Sequence, residues 1–377
     1  MSMAAILPPA MLGILGGGQL GRMFAVAARR MGYHVMVLDP DARAPAAAFA
    51  DVHLCAAFDD EQALRQMGQR CAAITTEFEN VSADAMRLLA TLTRVAPSAE
   101  CVAIAQDRIA EKGWINRAGL PTTPWLAVQA AADLQGELAD YLPGILKTAR
   151  LGYDGKGQQR VETAEEARAA FAALGAQVCV LEKRQHLKME VSVIVARSSA
   201  AQIEVFPVAE NSHRDGILDI SLVPARIEAA MAERARAMAC QLANALDYVG
   251  VLAVEFFVLD DDTLIINEIA PRPHNSGHFS LDACLTDQFQ QQVRTLCGLL
   301  PGNTDLLSPV AMVNLLGDLW PPQGEPHWDV LMEAPNAHLH LYGKTEARPG
   351  RKMGHFNVLA GDNEAALAQA RALFETL

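Results

Sequence analysis

The seven cysteines, at 55, 71, 101, 179, 240, 284 and 297, form no C-x-x-C pair and are spread thinly through 377 residues. That argues against a zinc knuckle and against a disulfide framework, and leaves free thiols in a reducing compartment, the cytoplasm, as the expectation. No run of about eighteen uncharged apolar residues occurs, so no membrane span is predicted. The stretch "MSMAAILPPAMLGIL" has no basic region ahead of its apolar residues, the first positive charge being Arg22, and a signal peptide is not expected. Positive charge is in short supply: 31 Lys and Arg stand against 44 Asp and Glu, a formal charge of -13. Such a chain has no general attraction for nucleic acid or anionic membranes. Internal repeats and low-complexity tracts are also missing, apart from an alanine-rich stretch at 42–50.

What is present is an ordinary globular composition, 51% hydrophobic and 20% charged, enough for two or three domains with sizeable cores. Over the first hundred residues short apolar runs ("MLGIL", "HVMVLD", "CAAITTEFE") alternate with helical patterns near 20–31 and 59–69. That alternation predicts βαβ crossovers and a parallel, doubly wound sheet. "VAPSAE" interrupts it, and a helix at about 107–118 leads to the prolines of "GLPTTPW". Hairpin textures follow to about residue 300. The last segment has strands near "VAMVNLLG" and "AHLHLYG", a basic turn, and an amphipathic helix from Asn363.

"ILGGGQLGRM" fits the dinucleotide fingerprint G-x-G-x-x-G through Gly16, Gly18 and Gly21, with Asp39 at the expected distance of roughly twenty residues. Taken alone it points to NAD.

The sharper signal is "LAVEFFVLDDDTLIINEIA". Asp260 to Thr263 make a polar turn between two apolar strands, and pairing Leu259 with Leu264 sets Glu255 opposite Glu268. Two carboxylates facing each other at about 5 Å destabilise a hairpin unless a cation lies between them. Paired oxygen ligands suit Mg²⁺, which takes one or two carboxylates and completes its shell with phosphates and water.

Other elements carry weaker signals. "LGYDGKGQQ" brings glycine backbone and Lys156 together as an anion loop, although it is no Walker A sequence and serves equally as a hairpin turn. Lys147 ends an apolar strand, and Glu182 and Glu190 sit at strand ends from which a ribose can be held, or are two surface acids. "IAPRPHNSGH" concentrates Arg272, His274, Asn275, Ser276 and His278 in a proline-stiffened loop directly after Glu268, the pattern of an active-site loop. "LYGKTEARPGRKMGH" gathers Lys344, Arg348, Arg351 and Lys352, either a phosphomonoester grip or a solubilising turn.

Together these residues resemble the ATP-grasp superfamily, and within it the family that carboxylates aminoimidazole ribonucleotide with ATP and bicarbonate in purine biosynthesis. "GILGGGQLGRM", "TTEFENV", "QDR" with "EK", "KTARLGYDGKGQ", "EVSVIVAR", "NEIAPRPHNSGH" and "HLYGK" carry the likeness along nearly the whole chain. The resemblance implies an α/β architecture: a Rossmann-like pre-ATP-grasp domain at 1–104, an ATP-grasp domain at 105–300 with a lid at about 122–190, and a small β-rich C-terminal portion at 301–377. The glycine loop would then face the ribonucleotide, with Gln19, Leu20 and Glu77 holding it and Asp39 without cofactor significance.

By the same resemblance Arg108 and Lys147 contact the ATP phosphates, and the lid loop Tyr153, Asp154, Gly155, Lys156, Gly157 and Gln158 closes over them. Glu182, Lys183, Gln185 and Glu190 line the adenosine site with His213 nearby, and Glu255 and Glu268 hold Mg²⁺ beside Asn267. Arg272, His274 and Asp154 act on bicarbonate and the imidazole with Asn275 and Ser276, while Lys344, Arg351 and Lys352 take the 5′-phosphate. Where many ATP-grasp enzymes have an asparagine, two positions after the second glutamate, this chain has Ala270. The expected partners are small molecules only, and the family suggests a homodimer. Three rivals remain at this level: a nicotinamide oxidoreductase, a formate-dependent glycinamide ribonucleotide transformylase of the same superfamily, and a regulatory module without catalysis.

Overall fold

The computed structural model describes residues 4–150, 152 and 157–377. Its first unit is a five-stranded sheet of β1 (Met11–Leu15), β2 (His34–Leu38), β3 (Val52–Leu54), β4 (Ala73–Thr76) and β5 (Arg94–Val95), all parallel, in the order β3-β2-β1-β4-β5. β1 and β2 are nearly continuous apolar runs and β4 is buried along its whole length, as strands covered on both faces must be. Helices α2 (Glu61–Arg70) and α3 (Ala83–Ala90) cover one face through Leu64, Met67, Met86 and Leu89. The other face takes α1 (Gln19–Arg30) through Phe24 and, from far along the chain, Phe289, Val293 and Leu296.

"VAPSAE" holds more structure than its sequence suggests. Ser98 caps a short helix, α4 (Ala99–Ala105), by accepting from Cys101 N, and Asp107 caps α5 (Arg108–Arg117) by accepting from Ile109 N and Ala110 N. β6 (Trp125–Val128), β7 (Gly144–Thr148), β8 (Gln158–Val161) and β9 (Cys179–Lys183) form a four-stranded antiparallel sheet in the order β6-β9-β7-β8, backed by α6 (Ala164–Ala173).

The largest sheet contains β10 (Leu187–Arg197), β11 (Ile203–Val205), β12 (Ala209–Arg214), β13 (Ile217–Val223), β14 (Gly250–Leu259), β15 (Leu264–Ala270), β16 (Val310–Leu316), β17 (Ala337–Leu341) and β18 (Lys352–Leu359). Its order is β15-β14-β10-β12-β13-β16-β18-β17, with β11 beside β10. α7 (Ala229–Ala245), α8 (Ser280–Ala283), α9 (Gln288–Leu296), α10 (Trp328–Glu333) and α11 (Asn363–Phe374) flank it. The C-terminal strands thus extend this sheet through the β13–β16 pairing. β18 escapes a pattern reading because its six interior residues are all buried, His355 and Asn357 included, so no polar-apolar alternation marks it.

The hairpin of β14 and β15 corrects one expectation in detail. Leu259 does not pair with Leu264; the ladder starts at Val258 opposite Leu264, and Asp262 takes a left-handed conformation in the turn. A bulge then inserts Asn267, and the slip it introduces restores Glu255 opposite Glu268.

Candidate active site

A cleft of about 370 Å³ opens where the four-stranded sheet, the β14/β15 hairpin and the loop after β15 meet. Glu255 and Glu268 both line it, as does the bulged Asn267. Each carboxylate is matched by one cationic or ionisable group: Arg108 Nη1 lies 2.9 Å from Glu268 Oε2, and His274 Nε2 lies 3.0 Å from Glu255 Oε1. Burial alone would raise the Glu268 carboxyl, but Arg108 and Lys147 more than offset it and the group stays below its ordinary range.

α5 delivers charge into the protein interior. Positions 108, 111, 112 and 115 share one helical face, and three of those four residues are charged: Arg108, Glu111 and Lys112. Lys112 is 1% exposed and sits 3.2 Å from Glu182 Oε1, and Lys147 reaches Glu182 Oε2 at 2.9 Å. Burial would push Glu182 up, yet Lys147 and Lys112 pull it down to about 2. Glu182 therefore anchors two lysines, and Lys147 is the one that reaches the cleft. Glu111 Oε1 accepts from Ile269 N at 2.6 Å, tying α5 to β15, and burial pushes its carboxyl up to about 8.

In the loop after β15, Arg272 Nε donates to Glu79 Oε2 at 2.5 Å, a link between the first sheet and the hairpin. Gln106 Nε2 holds the Glu79 segment by donating to the carbonyls of Glu79 and Val81. Asn275 is 6% exposed and lines the cleft, and among the described residues neither its Nδ2 nor its Oδ1 has a hydrogen-bond partner, which suits a side chain that binds a polar ligand. Ser276 is fully buried; its hydroxyl pairs with Ser192 Oγ at 2.7 Å and with His274 Nδ1 at 2.8 Å. It supports His274 from behind instead of facing the cleft.

The glycine loop answers the dinucleotide question. Glu77 reaches back under α1, and its carboxylate accepts from Gly18 N at 2.7 Å and Gly21 N at 2.5 Å. The anion position at the helix N-terminus, which a pyrophosphate would need, is filled by the protein's own carboxylate. Asp39 accepts from Gly17 N at 2.7 Å and shapes the loop. A β-carbon on Gly18 would lie 2.4 Å from Glu77 Oε1. Gly18→Ala is expected to cost about 1–3 kcal/mol by overpacking and to lower the thermal midpoint by about 1–4 °C. An unchanged calorimetric midpoint would show that the loop and Glu77 separate freely.

Gln19 Oε1 accepts from Lys344 Nζ at 2.7 Å, so the first and last segments of the chain meet at this edge. Lys352, whose carbonyl also accepts from Lys344, lines the cleft. Arg351 Nη1 turns to the carbonyl of Glu346 and is not among the cleft residues; Leu20 is 8% exposed and belongs to the apolar core.

Glu190 and His213 come together in the cleft, with Nδ1 of His213 at 3.2 Å from Glu190; burial pulls the imidazole down, but Glu190 raises it overall. Gln158 lines the cleft as well, and Gly157 holds a positive φ of 71°. Lys183 and Gln185 stand outside the lining; Gln185 Nε2 donates to Thr123 Oγ1. Tyr153, Asp154, Gly155 and Lys156 lie outside the described residues. Glu79, Gln106, Glu111 and Lys112 lie within the stretches "TTEFENV", "QDR" and "EK" that carry the family likeness, but the sequence reading gives none of them a role. For the last two the charged stripe on the buried face of α5 is a further signal.

Two facing carboxylates and the cations Arg108, Lys147 and Arg272 share one cleft beside the four-stranded sheet, and the family comparison makes the chain an ATP-grasp ligase. The ATP-grasp domain family matches residues 114–289, the ribonucleotide synthetase preATP-grasp domain 10–106, and the phosphoribosylaminoimidazole carboxylase C-terminal domain 310–369. The N5-carboxyaminoimidazole ribonucleotide synthase of Brucella melitensis is 47% identical, over 94% of this chain and 98% of that protein. The crystal structure of the Staphylococcus aureus N5-carboxyaminoimidazole synthetase complexed with ADP superposes with a TM-score of 0.92 at 38% identity, covering 99% of both chains. That of the Aspergillus clavatus enzyme in complex with ADP and 5-aminoimidazole ribonucleotide gives 0.87 at 29% identity, over 97% of this chain and 98% of that one. The chain belongs to the N5-carboxyaminoimidazole ribonucleotide synthetase family. It is an enzyme, and the oxidoreductase, transformylase and regulatory readings fall away.

Proposed function

We propose that this cleft carries out the family reaction with a division of labour among its own residues. The reaction converts 5-aminoimidazole ribonucleotide, ATP and bicarbonate into N5-carboxyaminoimidazole ribonucleotide, ADP and phosphate. A bicarbonate oxygen attacks the γ-phosphorus as the bond to ADP breaks, forming carboxyphosphate. The exocyclic amine of the ribonucleotide then attacks the carboxyl carbon, loses a proton and releases phosphate.

Lys147 and Arg108, both anchored by buried or cleft carboxylates, neutralise the ATP phosphates. Glu190 and His213 take the nucleoside end, beside Ile145, Leu218 and Phe257, which offer an apolar wall to the base. Arg272 stabilises the charge that develops during phosphoryl and carboxyl transfer, and His274 and Asn275 orient the acceptor. Gln19, Lys344 and Lys352 form the ribonucleotide phosphate edge.

The donor set fits Mg²⁺. Glu255 and Glu268 pair directly across the hairpin and face the cleft, and among the described residues no group of three or more His, Cys, Asp or Glu could hold a metal on its own. The protein would supply two carboxylates and the phosphates the remaining oxygens. When bound, the ion supplies charge neutralisation at the transferred phosphoryl group. Ala270 is 8% exposed on its strand and offers no ligand.

A division into 1–104, 105–300 and 301–377, a homodimeric state and a cytoplasmic location belong to the same reading. The matched family segments support the first, and the family resemblance supports the other two. Among the described residues no helix is long and apolar enough to cross a membrane.

The meeting of the Glu255–Glu268 pair with Lys147 and Arg272 in one cleft carries the reading. ADP release measured with ATP, Mg²⁺ and bicarbonate is expected to rise at least about 10-fold on adding aminoimidazole ribonucleotide, a difference of ~1.4 kcal/mol or more in barrier. Stimulation by formate with glycinamide ribonucleotide instead would overturn the substrate assignment.

A further inference from the structure

Gln288, the first residue of α9, is fully buried and lies outside the cleft lining, yet its amide makes three hydrogen bonds to the loop that follows β15. Its Oε1 accepts from His274 N at 2.9 Å, and its Nε2 donates to His274 O at 2.8 Å and to His278 Nδ1 at 2.9 Å. The amide orientation is settled by its partners, because a backbone N–H can only face the oxygen. One side chain thus takes both main-chain groups of His274, as a neighbouring strand would, and sets the tautomer of His278 with the proton on Nε2. The helix that presents it is anchored independently: Asp287 caps it, Gln288 N donates to Ser280 Oγ, and Phe289 and Val293 are packed into the core of the first sheet.

We propose that Gln288 is a positioning residue for carboxyl transfer: it fixes the backbone of His274, and so places the imidazole between Glu255 and Ser276, from a helix seated on the ribonucleotide-side domain. The inference rests on the assignment of His274 to the acceptor site. Without the amide, Glu255 and Ser276 could still hold the ring while its pivot drifted, and a drift of about 1 Å is enough to cost about 100-fold in rate.

The test uses Gln288→Met and Gln288→Glu in the full-length enzyme, with kcat and KM for ATP, bicarbonate and ribonucleotide measured from pH 6 to 8.5. Gln288→Met is expected to lower kcat about 10-fold to 100-fold at every pH, with the KM for ATP within about 3-fold of the parent. Gln288→Glu is expected to approach the parent at low pH, where the protonated carboxyl can donate to His274 O and accept from His274 N. Its rate falls as pH rises and a buried carboxylate meets that carbonyl. The titratable groups facing the position, His274 and His278 from the loop and Asp287 from α9, are common to all variants, so the variant-to-parent ratio isolates the new carboxyl.

Parent-like kcat for Gln288→Met, or equal deficits for both variants at every pH, overturns the proposal in favour of simple packing. If Gln288→Met does not fold, Gly277→Ala carries the test. Its β-carbon would come 2.5 Å from Oε1 and displace the amide without removing it, and it is expected to lower kcat at least about 10-fold; an unaffected Gly277→Ala enzyme refutes the inference. His274→Gln separates the two levels. Full activity there removes the acceptor-site assignment, whereas loss there together with a parent-like Gln288→Met removes only the role of Gln288.

Discussion

Glu268→Gln is expected to reduce ribonucleotide-stimulated ADP release by about 100-fold or more, at least ~2.7 kcal/mol of transition-state stabilisation. The carboxylate stands opposite Glu255, 2.9 Å from Arg108, and lines the cleft. An amide of nearly equal volume keeps the strand and its packing but donates where the pair must only accept. Stability at neutral pH is expected to fall modestly, because Arg108 and Lys147 hold the Glu268 carboxyl below its ordinary range and the neutral amide gives up that attraction. The apparent requirement for Mg²⁺ is expected to shift to higher concentration, which a Mg²⁺ titration of the residual rate would show. Turnover within about 3-fold of the parent at low Mg²⁺ would remove Glu268 from the metal site, whatever the fate of the rest of the assignment.

Arg272→Ala is expected to lower kcat about 10²–10³-fold, the usual consequence of removing one preorganised donor from developing negative charge, with the KM for ATP changed by less than about 3-fold. Arg272→Lys should fall between the two, since an ammonium keeps the charge but not the planar fork. A second readout comes from Glu79. Its burial would raise its carboxyl, but Arg272 brings it down to about 2 from an ordinary value of 4.5. A depressed folded-state value stabilises the fold above about pH 4.5, and that contribution is lost as pH falls toward 2. Arg272→Ala removes it, so the difference in thermal midpoint between parent and variant should be largest above about pH 5 and shrink as pH falls toward 3. A difference that does not depend on pH would mean that Arg272 and Glu79 are not paired in solution.

Much of the site could be read from the chain because it is locally encoded. The facing glutamates follow from strand alternation across one short turn, and the loop of Arg272, His274 and Asn275 follows them directly. The hairpin register was off by one at the turn, and the bulge at Asn267 repaired it before the glutamates. A bulge leaves no signature in a pattern of period two, so a correct pair came out of an incorrect ladder. The glycine fingerprint shows the opposite case. Its three glycines are spaced for a dinucleotide, but Glu77, just after β4, occupies the anion position.

The sequence by itself determined the strand-helix alternation and parallel sheet of the first unit, the acidic pair and the loop after it, because periodicity, turn chemistry and adjacency act over a few residues. The tertiary structure alone decided that Glu182 anchors two lysines, that Glu79 holds Arg272, and that α9 crosses to the first sheet and carries Gln288 beneath His274. Those partners sit on separate elements that meet only in the folded chain: Lys147 and Glu182 on neighbouring strands of one sheet, Lys112 on α5, Glu79 after β4, and Gln288 on α9. Whether a buried charge or amide is a cost or a device depends on which group meets it there, and that choice is made only when the layers pack.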